Sequence, residues 1–437
     1  MMRVLFFIIA FFLLACRPTP STPLSFARSS QKSNQNASLA PEPVTPSLPE
    51  NTQSSTPSVS DDQASVALPY QDSEEVPPEL IFMVEKIRGM DSSLHTVIFS
   101  AALSKLSAYL QRYNGKPIAP LTLVELAGQW GIASPWILQN TLISMGYDDN
   151  ALAAWVAKNI AMYRTQHGVT HFGISKGKLS DGSDLVVLLM QRRRFSHAPF
   201  ARWVNPGSPF LMNGRLEPGV THLDVFVTAP DGSVARARVP LGENQTFSIR
   251  LDFCASNAQR GHYNVELLGK DEHGPFVAGL FPVACGQQAA FRHINIRFQE
   301  ASGEMGADAF ASAVFQGVNQ HRAKLGMPVF RQDARLDTIA HAHSQEMCAS
   351  KKIFHISPIT GSPLQRVQRA RLHVQMVAEN VAMGASAEEI VGAWDKSEGH
   401  RLNMEHAKGT HAGIGVCRGT YGAGTIVYYV TLLIVAY

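Results

Sequence analysis

Trp394-Asp395-Lys396-Ser397-Glu398-Gly399-His400-Arg401-Leu402-Asn403, followed by Thr410-His411-Ala412-Gly413-Ile414-Gly415-Val416, decides how the chain is read. A Trp leads a Ser, a Gly-His-Arg and an Asn, and the Gly-Ile-Gly beyond them opens an apolar strand that is followed by a second one over 425–437. Upstream, Ser386-Ala387-Glu388-Glu389 reads as a helix start, because the Ser hydroxyl caps free N–H groups and Glu389 reaches back. Ile390, Val391 and Trp394 then form the buried face. Ala378-Glu379-Asn380-Val381-Ala382 and Phe354-His355-Ile356-Ser357-Pro358 add a carboxylate and a second His. Leu336, Ile339, Ala340, His343 and Met347 recur on one helical face. His343, with His341 and His321, therefore reads as packing or surface. Residues 309–325 form an earlier helix closing at Gly326.

Asn319-Gln320-His321-Arg322, Gly326, Pro328 and Asp333-Ala334-Arg335-Leu336 complete the pattern. Together these motifs resemble the CAP superfamily (cysteine-rich secretory, antigen-five and pathogenesis-related proteins) in its bacterial, SCP-like form, over residues 300–437. Three positions depart from it. Phe354 adjoins His355 directly, Ala378 stands where the family usually has Gly, and Ser397-Glu398-Gly399 stands where many bacterial members have Ser-Pro-Gly. The resemblance implies an α-β-α sandwich with helices on both faces of a mixed, largely antiparallel sheet. It also implies a cleft carrying two His and up to two Glu. By motif these are His355, His400 and Glu379; the second Glu falls at or near Ser397, with Glu398 one residue further on. Two imidazoles and a carboxylate suit Zn²⁺ or another divalent metal with one open position, and such a metal polarises a carbonyl or activates water. The candidate metal set is His355, His400 and Glu379. The structural alternative has the two His tying loops across the cleft, with Glu379 fixing a tautomer.

Two function classes follow. One is a non-enzymatic envelope module that binds an apolar or polymeric ligand, a lipid or cell-wall material. The other is a metal-dependent hydrolase of peptide or cell-wall substrates. Efficient hydrolysis needs a positioned base, and Ser397 stands where that carboxylate is expected. The binding module is therefore the leading reading.

The remaining chain frames this region. Its 437 residues suit two or three domains. A net charge of +3, without a basic stripe with interleaved aromatics, is too small to imply nucleic acid as a partner, and none is expected. Met1-Met2-Arg3 leads an apolar run, Val4 to Ala15, too short to span a bilayer and suited to a signal peptide. It ends Leu13-Leu14-Ala15-Cys16, which resembles a bacterial lipobox. Residues 1–16 are thus expected to direct lipidation of Cys16, giving an extracytoplasmic protein anchored in the membrane, the outer one if the cell is Gram-negative. Residues 17–78, rich in Pro, Ser and Thr, read as a disordered tether.

Residues 79–200 read as a mainly helical α+β region, with helices over 94–113, 121–130, 136–145 and 151–163, and a buried strand over 185–190. Thr170-His171-Phe172-Gly173-Ile174 parallels Thr410-His411-Ala412-Gly413-Ile414, which leaves open a degenerate CAP-like relation, but the region has no Glu-Asn or Gly-His-Arg element and is assigned no site. Over 205–290, period-two runs separated by turns such as Pro230-Asp231-Gly232 read as a small antiparallel β-sandwich. Of the five Cys, Cys16 is set aside, and the other four allow three connectivities. Pairing within domains gives Cys254–Cys285 and Cys348–Cys417.

Overall fold

The computed structural model describes residues 69–146, 148–286, 294–299, 305–421 and 425–437. Cys16 and the tether up to residue 68 lie outside the described residues. The first unit comprises α1 (Ile81–Met90), β1 (Ile98–Phe99), α2 (Ala101–Leu110), α3 (Pro120–Gln129), β2 (Ile137–Ser144), α4 (Asp149–His167), β3 (His171–Lys178) and β4 (Asp184–Gln191). Its sheet runs β1-β3-β4-β2, with β1 parallel to β3 and the other pairs antiparallel. β4 is buried on both faces. Leu185, Val187 and Leu189 meet α2 and α3, while Val186, Leu188 and Met190 meet α1 and α4.

Two helical expectations are corrected here. Residues 136–145 form β2, because β4 offers a full antiparallel ladder and the Ile and Thr side chains of this segment suit a half-buried strand. The expected helix over 94–113 begins later. Ile98 and Phe99 first pair with β3, and the Ser100 hydroxyl then caps α2 by accepting the Leu103 N–H at 3.1 Å.

The second unit comprises β5 (Phe195–His197), β6 (Trp203–Val204), β7 (Phe210–Leu216), β8 (His222–Thr228), β9 (Val234–Val239), β10 (Thr246–Leu251), β11 (Gly261–Asp271) and β12 (Gly274–Cys285). A three-stranded sheet, β10-β7-β5, and a five-stranded sheet, β6-β12-β11-β8-β9, enclose one core that includes Phe210, Phe281 and Tyr263. Tyr70 belongs to that core too. It stacks on Phe200 with ring centroids 4.7 Å apart and donates its hydroxyl to the Pro282 carbonyl at 2.8 Å. Order therefore begins earlier than residue 79, because one large aromatic ring finds a buried seat. Cys254–Cys285 closes this unit.

The third unit comprises α5 (Ala307–Lys324), β13 (Arg331–Gln332), α6 (Ala334–Ser350), α7 (Pro363–Arg369), β14 (Met376–Gly384), α8 (Ala387–Lys396), α9 (Glu398–Met404), β15 (His411–Tyr421) and β16 (Thr425–Ala436). Its sheet order is β13-β15-β16-β14. Along β16, Tyr428, Val430, Leu432 and Ile434 pack under α5 and α8, while Leu433 and Val435 pack against α6 and α7. Helices thus cover both faces of a mixed sheet. Gly413 and Gly415 let α6 approach: a Cβ on either would lie 2.3 Å or less from α6 backbone atoms. Cys348–Cys417 ties α6 to β15.

The first and third units repeat one topology, a short parallel strand followed by two long antiparallel strands and an antiparallel edge. Details repeat as well. Gly173 lies against α2 as Gly413 lies against α6, and Thr170 and Thr410 hydroxyls reach the Nδ1 of His171 and His411 at 2.8 and 3.0 Å. The three units pack on one another. α3 meets α8, where Lys396 pairs with Glu125, and the hairpin of β11 and β12 projects from the second unit onto the third.

Candidate functional site

The third unit's motifs converge on the middle of β14, at Glu379 and Asn380. His355 lies on the loop after α6, Glu379 on β14, and Ser397 and His400 at the junction of α8 and α9. Glu379 is buried, with Oε1 accepting the His355 Nδ1–H at 2.9 Å and Oε2 paired with the Arg366 guanidinium. Burial raises its carboxyl, but the His355 hydrogen bond and the neighbouring His355 and Arg366 charges outweigh that and hold it below its ordinary value. Arg366 also donates to the His355 carbonyl at 3.2 Å. His343, fully buried behind them, donates Nε2–H to the Phe354 carbonyl at 2.9 Å. The neighbouring Asn is structural. Asn380 donates to the His400 carbonyl and accepts from Asn403, each at 2.9 Å.

His400 shares a 2.8 Å hydrogen bond between Nδ1 and the Ser397 hydroxyl. Enclosure, and then the charge of His355, push its imidazole down to about 3, so it is neutral near pH 7. Neither His355 nor His400 engages Nε2 in a hydrogen bond among the described residues, which leaves both nitrogens available to the space between them. That space is a cavity of about 260 Å³. From the third unit it is lined by His355, His400, Glu379, Asn403, Phe354 and Val381; from the second by Leu268, His273, Phe276 and Val277; Arg192 and Arg194, between β4 and β5, line it too. The β11–β12 turn docks directly on the His355 loop, where the His273 carbonyl accepts the N–H groups of His355 and Ile356 at 3.1 and 3.0 Å.

His355, His400 and Glu379 are thus brought together, with Glu379 behind His355 rather than beside it. Both Glu379 oxygens are committed, and among the described residues no group of three or more His, Cys, Asp or Glu is arranged to hold a metal ion. The residues present do not fit a three-ligand zinc site. Glu398, expected at the cleft, is buried in an ion pair with Arg401 and does not line the cavity.

The carboxylate at this place comes from β11. Glu266 is 3% exposed, accepts the Ser397 hydroxyl at 3.1 Å through Oε1 and accepts the Glu398 N–H at 2.6 Å through Oε2. Burial pushes it up to about 7, against the hydrogen bonds from Glu398, Ser397 and Gly399. The sequence reading missed it because strand alternation assigns residue 266 to the solvent face. A signal was present: its register partners Phe226 and Leu280, and Leu268 two residues on, are apolar.

Residues 315–433 match the family model of the cysteine-rich secretory proteins, CAP. The chain carries a CAP domain. Bacillus subtilis YkwD is 34% identical over 115 residues, 26% of this chain and 45% of that protein. YlbC, a membrane protein of the same organism, is 31% identical over 104 residues, 24% of this chain and 30% of that protein. The match therefore spans less than half the length of these relatives. Among solved structures, an SCP-domain extracellular protein of Bacillus anthracis has 17% identity and a TM-score of 0.26, covering 52% of this chain and 82% of that one. An outer surface protein of Borrelia burgdorferi has 17% identity and a TM-score of 0.27, covering 31% and 98%.

Proposed function

We propose that this is a lipid-anchored envelope protein whose CAP cleft binds a segment of an apolar or polymeric envelope ligand. The observation that carries the reading is the cavity of about 260 Å³, where apolar walls from Phe276, Phe354, Leu268 and Val277 meet two imidazoles with available Nε2 atoms. Such a lining, mostly apolar with a few convergent polar groups, is that of a small-molecule site. Its volume falls just below the range of about 300–1,000 Å³ for drug-sized ligands, so it suits one segment of a longer molecule. Anchoring rests on Leu13-Leu14-Ala15-Cys16 after the apolar run. Among the described residues no helix is long and apolar enough to cross a membrane.

The test is calorimetric titration with N-acetylglucosamine oligomers and with medium-chain fatty acids as separate probes. One class is expected to bind the wild-type chain, in the presence of chelator as well as in its absence, and to lose affinity in Val277→Trp, which fills the cavity. Binding that survives Val277→Trp unchanged, or binding by neither class, would overturn the reading.

A further inference from the structure

We infer that Glu266, a β-sandwich residue, is the positioning residue for His400, acting through the Ser397 hydroxyl to fix which imidazole nitrogen the CAP cleft offers its ligand. The inference rests on the cleft being the binding site, and it identifies the ligand group that site takes.

The geometry is a chain of two hydrogen bonds. Ser397 Oγ lies 3.1 Å from Glu266 Oε1 and 2.8 Å from His400 Nδ1. A hydroxyl has one hydrogen to give, and an ionised carboxylate only accepts. With Glu266 ionised, Ser397 donates to Glu266 and must accept from His400, so the proton sits on Nδ1. His400 then presents an Nε2 lone pair to the cavity. His355 likewise commits its Nδ1–H, to the Glu379 carboxylate. The His400 acceptor facing the cavity calls for a ligand group that brings a hydrogen-bond donor, such as a sugar hydroxyl, which can also donate to or accept from the His355 Nε2.

Glu266 is built into this role. Its second oxygen is held by the Glu398 N–H at 2.6 Å, so the carboxylate cannot turn from Ser397 without stranding a buried donor. The Glu398 carboxylate near it is neutralised by Arg401, and on the same sheet face Asp224, one register pair away, is paired with Arg236 and Arg238. On the flanking strands its register partners, Phe226 and Leu280, carry no charge. The CAP domain alone offers Ser397 no carboxylate among the described residues, so the orientation of His400 is set across a domain boundary.

The experiment reads the tautomer of His400 in the full chain at pH 8, by long-range ¹H–¹⁵N correlation of its ring nitrogens, with the signal assigned by loss in His400→Gln. Wild type is expected to carry the proton on Nδ1. Glu266→Gln keeps shape and volume, but its amide oxygen must take the Glu398 N–H, so its NH₂ donates to Ser397, Ser397 donates to Nδ1, and the proton moves to Nε2. Ser397→Ala should make the tautomer independent of residue 266, so that Ser397→Ala and the Ser397→Ala/Glu266→Gln pair give the same spectrum. The same His400 tautomer in wild type and Glu266→Gln, or a response to Glu266→Gln that persists without the Ser397 hydroxyl, overturns the proposal. These readouts need no ligand, so failure here and failure of the binding reading are separate results.

Discussion

Gly274, at the tip of the sandwich hairpin, sits so close to His355 that a Cβ on it would fall 2.9 Å from the His355 Cβ. Its φ of +108° is also one that side-chain-bearing residues rarely adopt. Gly274→Val should therefore lift the hairpin off the His355 loop and cost at least about 1 kcal/mol. The direct measurement is amide hydrogen exchange. The His355 and Ile356 N–H groups, which donate to His273, should lose protection while the centre of β16 keeps its own. Equal protection in both chains would show that the hairpin contact does not hold the loop.

The Glu379–Arg366 pair is almost completely buried. Removing one partner leaves the other charge without compensation, which costs roughly 3–5 kcal/mol, whereas replacing both by apolar groups costs far less. Urea denaturation should therefore rank the variants with Glu379→Gln well below wild type and Glu379→Leu/Arg366→Met between them. A double variant less stable than Glu379→Gln would count against this account.

Stability should depend on pH through two opposed groups of residues. Glu266 is raised to about 7 from 4.5, so between those values the folded chain holds more protons than the unfolded one. Its contribution is complete at low pH and is lost as pH rises through that window. His400 and His171 are depressed to about 3, and His167 to about 4, from 6.5. Their contribution is complete above 6.5 and is lost as pH falls toward 3. Glu266→Gln removes only the first effect. Its stability relative to wild type should climb by up to about 3 kcal/mol between pH 4.5 and 7. Parallel curves for the two chains would show that Glu266 does not titrate there.

The disulfide Cys348–Cys417 joins residues 69 apart and fastens α6 to β15. Replacing both Cys by Ser should lower stability by about 2–5 kcal/mol, read by thermal or urea unfolding. Peptide mapping without reductant should recover this link and Cys254–Cys285; a cross-link between the sandwich and the CAP domain would contradict the fold.

The sequence made the CAP domain legible because its signals are local. The Ser386 cap and the α6 stripe each follow from short-range rules, and His355, Glu379 and His400 are named by motif. Residues 136–145 misled because Ile, Leu and Thr spaced through the segment satisfy a helix about as well as a strand, and only pairing with β4 decides. Tyr70 was hidden in a polar, Pro-rich stretch whose composition argues against order. Glu266 lay furthest from reach. An acidic residue at an outward strand position reads as solvated until a second domain is laid over it, and Ser397 reads as a missing carboxylate until its partner 131 residues away is seen.

Because the carboxylate behind His400 belongs to a neighbouring domain, a change at residue 266 or at residue 397 alters the surroundings of the other. A CAP domain that separates from its sandwich through gene rearrangement forfeits Glu266, and it recovers a held His400 most directly by gaining an acidic residue at the Ser397 position. Conversely, once the sandwich is docked, an acid at position 397 would set two buried carboxylates against each other and be disfavoured. The hydroxyl at 397 and the acid at 266 thus divide one site between two domains, and neither domain by itself holds the whole of it.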